Sequence, residues 1–260
     1  MEQKGILYAE NLSIGYASKK NSVVVASGIN FRLSKGTLVA LAGANGIGKS
    51  TLLRTITGIQ APLSGNVTLA GKPLHDYPAS DLAQQISLVL TEKLPPGNLT
   101  VYEIIALGRQ PYTNWLGSLS PEDEIKVDEA VALTGVSGLL SKKHHEISDG
   151  QLQTVMIARA LAQDTPIIVM DEPTTHLDLP HKIHLFKLLK KLTAEAGKCI
   201  LFSTHDIELA MEMGDEMIVM TERALLQDAP EKLIGSGIFN QLFANDGIRF
   251  DAEKRRFVAD

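Results

Sequence analysis

Leu38-Val39-Ala40-Leu41-Ala42-Gly43-Ala44-Asn45-Gly46-Ile47-Gly48-Lys49-Ser50-Thr51-Leu52-Leu53 decides how the rest of the chain is read. An apolar run ends on a glycine-rich turn, and the turn opens into a helical pattern. The spacing Gly43, Gly48, Lys49, Ser50 fits G-x-x-x-x-G-K-[S/T]. Each residue type has a chemical reason to be there. Glycines let backbone N–H groups curl around phosphate oxygens with no Cβ in the way. The helix N-terminus contributes partial positive charge. A lysine reaches the β- and γ-phosphates, and the following hydroxyl holds Mg²⁺. Gly43, Asn45, Gly46, Gly48, Lys49, Ser50 and Thr51 are therefore the candidate residues for binding a nucleoside triphosphate.

The surrounding composition is that of an ordinary globular protein. The 260 residues are 44% hydrophobic and 21% charged, enough for one large core or two modest ones. A net charge of −5 argues against a general nucleic-acid binder, so no nucleic-acid partner is expected. No apolar run approaches ~18 residues, the length that spans a bilayer. The opening MEQKGILYAEN lacks the apolar region of a secretory signal, so none is expected. The single Cys199 sits in the apolar run Cys199-Ile200-Leu201-Phe202 and reads as a core thiol.

Residues 5 to 33 alternate as antiparallel strands, with Ile29, Phe31 and Leu33 on one face and Asn30 and Arg32 on the other. Tyr16, between two such stretches, fits either an edge-filling turn aromatic or a platform for a planar ring. After the loop and its helix, Gly58 to Gly65 form a stop and turn, and Val67 and Leu69 mark a short inward-facing strand. From about residue 78 to 163 helices dominate, after a short strand at Ile86–Leu90. Thr100-Val101-Tyr102-Glu103 and Ser148-Asp149-Gly150-Gln151 spell capping boxes. Ser120-Pro121 opens a third helix that Gly135 ends. The apolar face after Ser148 is Leu152, Val155, Met156, Ala158 and Leu161. Pro166 introduces the uninterrupted run Ile167-Ile168-Val169-Met170, typical of a fully buried parallel strand. A helix over Pro180–Ala196, a strand Cys199–Phe202, an α/β unit over Ile207–Met220, a short helix at Pro230 and a hairpin joining Ile248-Arg249-Phe250 to Phe257 complete the chain.

In an open parallel sheet, ligands sit beyond the carboxyl ends of the strands. Three groups fall there: the phosphate loop, Asp171-Glu172 and His205. Asp171 is placed to hold Mg²⁺ together with Ser50. Glu172, one residue further, is placed to orient or deprotonate an attacking water. His205 reads either as a satisfied core histidine or as a contact to the γ-phosphate. The pairs His144-His145 and His181-x-x-His184 read as solvated positions, since no third ligand is in view.

The phosphate loop, Ser148-Asp149-Gly150-Gln151, Ile167–Glu172, Thr175-His176-Leu177-Asp178 and His205 together resemble the ATP-binding cassette (ABC) family, in order and spacing, over about residues 5 to 235. The resemblance implies an α/β phosphate-loop fold: a mixed sheet, an N-terminal antiparallel β-subdomain and an inserted helical subdomain. It implies one domain over 1–260. Residues 5–77 and 164–235 would form the β-subdomain and nucleotide-binding core, 78–163 the helical subdomain, and 236–260 a C-terminal extension. It implies ATP hydrolysis with ATP and Mg²⁺ as cofactors, Glu172 and His205 being catalytic. Tyr16 would stack on adenine. Ser148, Gly150, Gln151 and Asp178 would contact ATP held by a second copy in a head-to-tail homodimer. The other partners implied are membrane permease subunits and, indirectly, a substrate-binding protein, with the chain peripheral at the cytoplasmic face of a bacterial membrane.

Two positions depart from the family. Asp149 stands where the family usually has Gly, and a carboxylate there lies near a triphosphate. The family's Gln after the strand Leu88–Leu90, a Mg²⁺ and water contact, is replaced by Thr91 followed by Glu92, either of which could substitute. Within the family, Thr100 to Tyr112 and Trp115-Leu116-Gly117 are similar to ATPases of importers for ferric siderophores, haem and cobalamin. A soluble nucleotide-switched assembly factor, an importer ATPase for another substrate and a degenerate binding cassette are the alternatives. The first of these usually carries two cassettes, long insertions or a basic face, and Glu172 with His205 argues against the last.

Overall fold

A computed structural model describes residues 5–17, 21–90, 97–175, 177–243 and 247–259. Thr91, Glu92 and His176 lie outside the described residues. Two long strands open the chain, β1 (Gly5–Ala17) and β2 (Ser22–Ser34), paired antiparallel. The period-2 pattern is realised in β2: Ile29, Phe31 and Leu33 are buried while Asn30 and Arg32 are exposed. β3 (Leu38–Gly43) leads through the glycine-rich loop into α1 (Lys49–Ile56). β4 (Ser64–Leu69) and β5 (Lys72–Pro73) then complete a four-stranded antiparallel sheet in the order β2-β1-β4-β5.

A helical stretch follows: α2 (Ala79–Ala83), then β6 (Ile86–Val89), α3 (Val101–Ala106), α4 (Pro121–Thr134) and α5 (Asp149–Ala162). The remainder alternates: β7 (Ile167–Met170), α6 (Leu179–Ala196), β8 (Cys199–Thr204), α7 (Ile207–Met213), β9 (Glu216–Met220), β10 (Leu225–Asp228) and α8 (Pro230–Ser236). The main sheet runs β10-β9-β3-β8-β7-β6. Four of its five pairings are parallel, and at the edge β10 pairs antiparallel with β9. The sheet is therefore mixed, as the resemblance implied. A hairpin of β11 (Ile248–Asp251) and β12 (Arg256–Ala259) sets Phe250 opposite Phe257, the pair expected from sequence.

Strand parity divides the core. Val39, Leu41, Ile167, Val169, Cys199 and Leu201 pack with α1 and the antiparallel sheet. Their neighbours Ala40, Ala42, Ile168, Met170, Ile200 and Phe202 pack on the other face against α3 to α7. Every residue of β3, β7 and β8 is buried, so these strands show no alternation in sequence. Cys199 is wholly buried, and burial pushes its thiol up to about 12, which suits a packing residue rather than a nucleophile.

Several boundaries differ from the sequence reading. β8 continues two residues past Phe202, and α6 starts at Leu179, with Asp178 capping it. α5 is buried well beyond the expected face, including Ile157, Ala160 and Ala162, because α3, α4 and β6 enclose it. The capping boxes at Thr100, Ser120 and Ser148 all form, and Gly135 ends α4 in the left-handed region.

One buried polar knot ties the helical stretch together. Arg109 Nε donates to Asp123 Oδ1 at 2.8 Å, and its Nη1 donates to the Ala162 carbonyl at 2.8 Å. The guanidinium lies over the Tyr112 ring, 3.9 Å from its centroid. Gly108 allows this approach: a Cβ there would sit 2.2 Å from the Arg159 carbonyl oxygen. Burial raises the Asp123 pKa, but its bonds from Ser120 and Arg109 outweigh that and hold it below the usual value. The stabilisation is thus complete above the ordinary aspartate range of about 3.9 and is lost as pH falls below it. Arg109→Ala strands the buried carboxylate and is expected to cost about 3–5 kcal/mol in urea unfolding at neutral pH. The difference from the parent should shrink below pH ~4. A loss under ~1 kcal/mol at neutral pH would show that the knot contributes little.

Candidate nucleotide site

The phosphate loop follows from how β3 ends. Gly43 is the last buried strand residue, Asn45 and Gly46 are exposed, and Lys49 and Thr51 are buried again as α1 starts. The N-cap of α1 is Gly48, at φ 112°, and no side chain caps the helix. By contrast α3, α4, α5 and α6 each start on a side-chain cap from Thr100, Ser120, Ser148 and Asp178. The first N–H groups of α1 thus face the loop with their partial positive charge uncancelled by a capping oxygen.

Lys49 is 5% exposed, and its Nζ donates to the Gly43 and Ala44 carbonyls at 3.0 and 3.2 Å. Burial draws its pKa below the ordinary lysine value, while the charges of Glu172 and Asp171 pull the other way. The lysine therefore connects the loop electrostatically to the carboxylates after β7. Tyr16, at the end of β1, has a half-exposed ring, and its hydroxyl lies 3.2 Å from Thr51 Oγ1. The ring stands at the rim of the loop instead of filling a core.

Asp171 and Glu172 follow β7 directly. Asp171 is 8% exposed, and Glu172 adopts a left-handed backbone at φ 48°. Glu172 Oε1 accepts from His205 Nε2 at 2.6 Å, and Oε2 accepts from Thr175 Oγ1 at 3.2 Å. His205 is 41% exposed at its side chain, which is not a core position. Ser203, given no role in the sequence reading, donates to Asp171 Oδ1 at 2.7 Å and accepts from the Glu172 N–H at 2.8 Å. The signal for it was a hydroxyl at the end of an apolar strand, two residues before His205. Asp206 forms a second knot, accepting from Thr174 Oγ1 at 2.7 Å and from Lys182 Nζ at 2.6 Å.

For Mg²⁺ the available donors are hard oxygens, the Ser50 hydroxyl and the Asp171 carboxylate. A site of few protein ligands completed by phosphate oxygens is what Mg²⁺ favours, so the residues fit the ion.

The remaining candidates cluster apart from the loop. Ser148 Oγ accepts from the Gln151 N–H at 3.3 Å, and Gln151 Oε1 accepts from the Ser148 N–H at 3.1 Å. A Cβ built on Gly150 would first meet His181 and Leu177, at 3.4 and 3.5 Å. Asp178 caps α6 by accepting from the His181 N–H at 3.1 Å and also pairs with the His181 ring, which lowers its pKa. Asp149 is exposed in the first turn of α5. His144 is half-buried with its ring edge-on to the exposed His145, and His184 is exposed.

A glycine-rich loop on an uncapped helix, a buried lysine and two carboxylates on the adjoining strand end define a phosphate-loop nucleoside triphosphatase. The ABC transporter family profile matches residues 26–175. The chain belongs to that family, as an ATP-binding and ATP-hydrolysing subunit related to the ATPases of iron-chelate importers. It is 41% identical over 239 residues to an uncharacterised ABC transporter ATP-binding protein of Methanocaldococcus jannaschii, covering 92% of this chain and 81% of that one. It is 36% identical to the achromobactin transport ATP-binding protein of Dickeya dadantii, over 92% of this chain and 87% of that one. The ferric enterobactin transport ATP-binding protein of Escherichia coli is 34% identical, over 91% and 86%. Among solved structures, a transporter assigned to the metal-chelate type, in an inward-facing conformation, superposes with a TM-score of 0.80 at 25% identity, covering 98% of this chain and 96% of that one. A dimeric cassette bound to ADP and phosphate superposes with a TM-score of 0.73 at 28% identity, over 86% and 98%.

Gly48→Ala tests the loop geometry. Its Cβ would lie 2.5 Å from Val25 Cγ1, at a φ that side chains rarely adopt. We expect a stability loss of about 1–3 kcal/mol together with at least ~tenfold weaker ATP binding, read by thermal unfolding and nucleotide titration. Parental values in both would show that the loop tolerates a side chain at that φ.

Proposed function

We propose that this chain is the ATP-hydrolysing subunit of an importer for a ferric siderophore, peripheral at the cytoplasmic face of the membrane beside separate permease subunits. The observation carrying the ATPase chemistry is the convergence of Lys49, Asp171, Glu172 and His205 at the carboxyl edge of one parallel sheet. The loop amides and Lys49 hold the triphosphate, and the exposed Tyr16 ring stacks on adenine. Ser50 and Asp171 hold Mg²⁺, which when bound offsets charge on the β- and γ-phosphates. Glu172 orients the attacking water and accepts its proton, and His205 orients Glu172 and reaches the γ-phosphate. Thr91 or Glu92 takes the place of the family's glutamine.

Among the described residues no helix is long and apolar enough to cross a membrane. A separate permease, supplied through a substrate-binding protein, then carries the substrate. The two copies close head to tail, so that Ser148, Gly150, Gln151 and Asp178 of each meet the ATP held by the other. Residues 5–77 and 164–235 act as the β-subdomain and core, 78–163 as the helical subdomain that docks the permease, and 236–260 as an extension. The exposed Trp115 and Leu116 suit that docking. The siderophore class is supported by relatives whose names specify achromobactin and ferric enterobactin transport.

Glu172→Gln tests the catalytic assignment. It should retain ATP affinity within ~threefold, lose at least ~100-fold in turnover and accumulate an ATP-bound dimer on size exclusion. Hydrolysis at the parental rate would remove Glu172 from the role of base. The substrate class is tested by assembling the chain with its genomically adjacent permease and binding protein in vesicles. ATPase stimulation by a ferric siderophore, and none by haem or cobalamin, is the expected pattern. Stimulation by either of the others alone would reassign the cargo.

A further inference from the structure

We infer that Ser203 is a positioning residue that couples the metal-holding carboxylate to the catalytic one, and this rests on the roles of Asp171 and Glu172 proposed above. Strand register brings the three residues together. Met170 pairs with Phe202 across the parallel β7–β8 ladder, so the next step along each strand sets Asp171 beside Ser203. Parity then aims both side chains. Val169 and Leu201 pack on the face that carries α1, so Asp171 and Ser203, two residues further on, point to that same face.

Ser203 is fully buried, and its one hydroxyl group is used twice. Its proton goes to Asp171 Oδ1 at 2.7 Å, and a lone pair accepts the Glu172 N–H at 2.8 Å. The second bond falls on a residue in the left-handed region, φ 48°, which a side chain disfavours and which surrounding contacts must hold in place. That turn brings Glu172 within 2.6 Å of His205 and 3.2 Å of Thr175. Ser203 therefore fixes the Asp171 carboxylate by donating to it and fixes the Glu172 backbone by accepting from it. Loss of the hydroxyl leaves a carboxylate oxygen and a backbone N–H without this partner, and both carboxylates drift from their places beside the loop. Lys49 bonds the Gly43 and Ala44 carbonyls, while the Ser203 hydroxyl bonds Asp171 and Glu172, so nucleotide binding should be spared.

Four variants of the full chain test this: Ser203→Ala, Ser203→Thr, Ser203→Val and Glu172→Gln. Thr and Val have the same bulk and differ in the hydroxyl. We expect kcat to fall ~10–100-fold in the Ala and Val variants, the range typical for losing an outer-shell partner, with KM for ATP within ~threefold of the parent. The Thr variant should recover most of the Val loss. Mn²⁺ binding with a non-hydrolysable ATP analogue, followed by electron paramagnetic resonance, should weaken at least ~threefold in Ala and Val but not in Thr. Equal kcat and Mn²⁺ affinity in Thr and Val would assign Ser203 to packing and overturn the inference, even if the Ala variant fails to fold. An Ala variant within ~twofold of the parental kcat overturns it as well. Glu172→Gln separates the two levels. If it is inactive while the Ser203 variants are normal, only the coupling fails; if it hydrolyses at the parental rate, the Glu172 assignment itself fails.

Discussion

Everything at the site depends on the register of three parallel strands. β3 pairs with β8 so that Ala42 lies beside Thr204, and β8 pairs with β7 so that Phe202 lies beside Met170. The phosphate loop, the carboxylates and His205 are each the first residues beyond those aligned ends. A slip of one residue would exchange the two faces of a strand, moving Asp171 toward the helical core and Met170 toward the nucleotide. The register resists that slip because both faces are buried and differently filled. Small Ala40 and Ala42 sit on the side of α3 to α7, and larger Val39 and Leu41 sit on the side of α1. The core thus does more than stabilise: its asymmetry holds the candidate groups from three chain segments in line.

Three departures from the local rules of folding fall at this edge, although α2, α7 and α8 also lack a side-chain cap and Asn11, Ala70, Asp164 and Arg255 are left-handed elsewhere. Four helices start on a side-chain cap, but α1 starts on left-handed Gly48 with none. Lys49 is buried despite its charge, and Glu172 holds a backbone conformation that suits glycine better. Each departure opposes stability and is offset nearby. The lysine bonds loop carbonyls and feels two carboxylates, and Glu172 is held through Ser203, Thr175 and His205. Such local violations compensated by surrounding contacts are the pattern of sites shaped for chemistry.

The legible parts of the sequence were those governed by short-range rules. The capping boxes span four residues and depend on local geometry, so both that the sequence spelled, at Thr100 and Ser148, formed. The buried strand Ile167–Met170 declared itself by a run of apolar residues, and the hairpin by spacing. β10 escaped because Leu225-Leu226-Gln227-Asp228 is short and does not alternate; it exists by pairing with β9 at a sheet edge. Ser203 escaped because its partners lie more than thirty residues away and meet it only through register. Arg109 was visible only as part of a family-like stretch, since its bonds to Asp123 and Ala162 depend on how α4 and α5 cross. For Ser203 and Arg109 the missing information was a contact distant in sequence, whereas β10 is joined to β9 by a short hairpin with Leu225 opposite Met220.

The geometry around Ser148 shows how one chain can be prepared for a second. Gly150 abuts Leu177 and His181, so the start of α5 and the turn capped by Asp178 form one packed surface. In the proposed dimer they would meet the partner's nucleotide as a unit. The capping bond that Ser148 Oγ accepts from Gln151 is long, 3.3 Å, and therefore weak. The hydroxyl is a donor as well as an acceptor, and its proton is free to turn toward a phosphate while the cap is kept. Asp149 works against that approach by charge, yet it also stabilises its own helix by about 0.3–1 kcal/mol through the dipole. In the proposed dimer the same carboxylate would firm this surface through its helix and raise the electrostatic cost of bringing it against the partner's triphosphate.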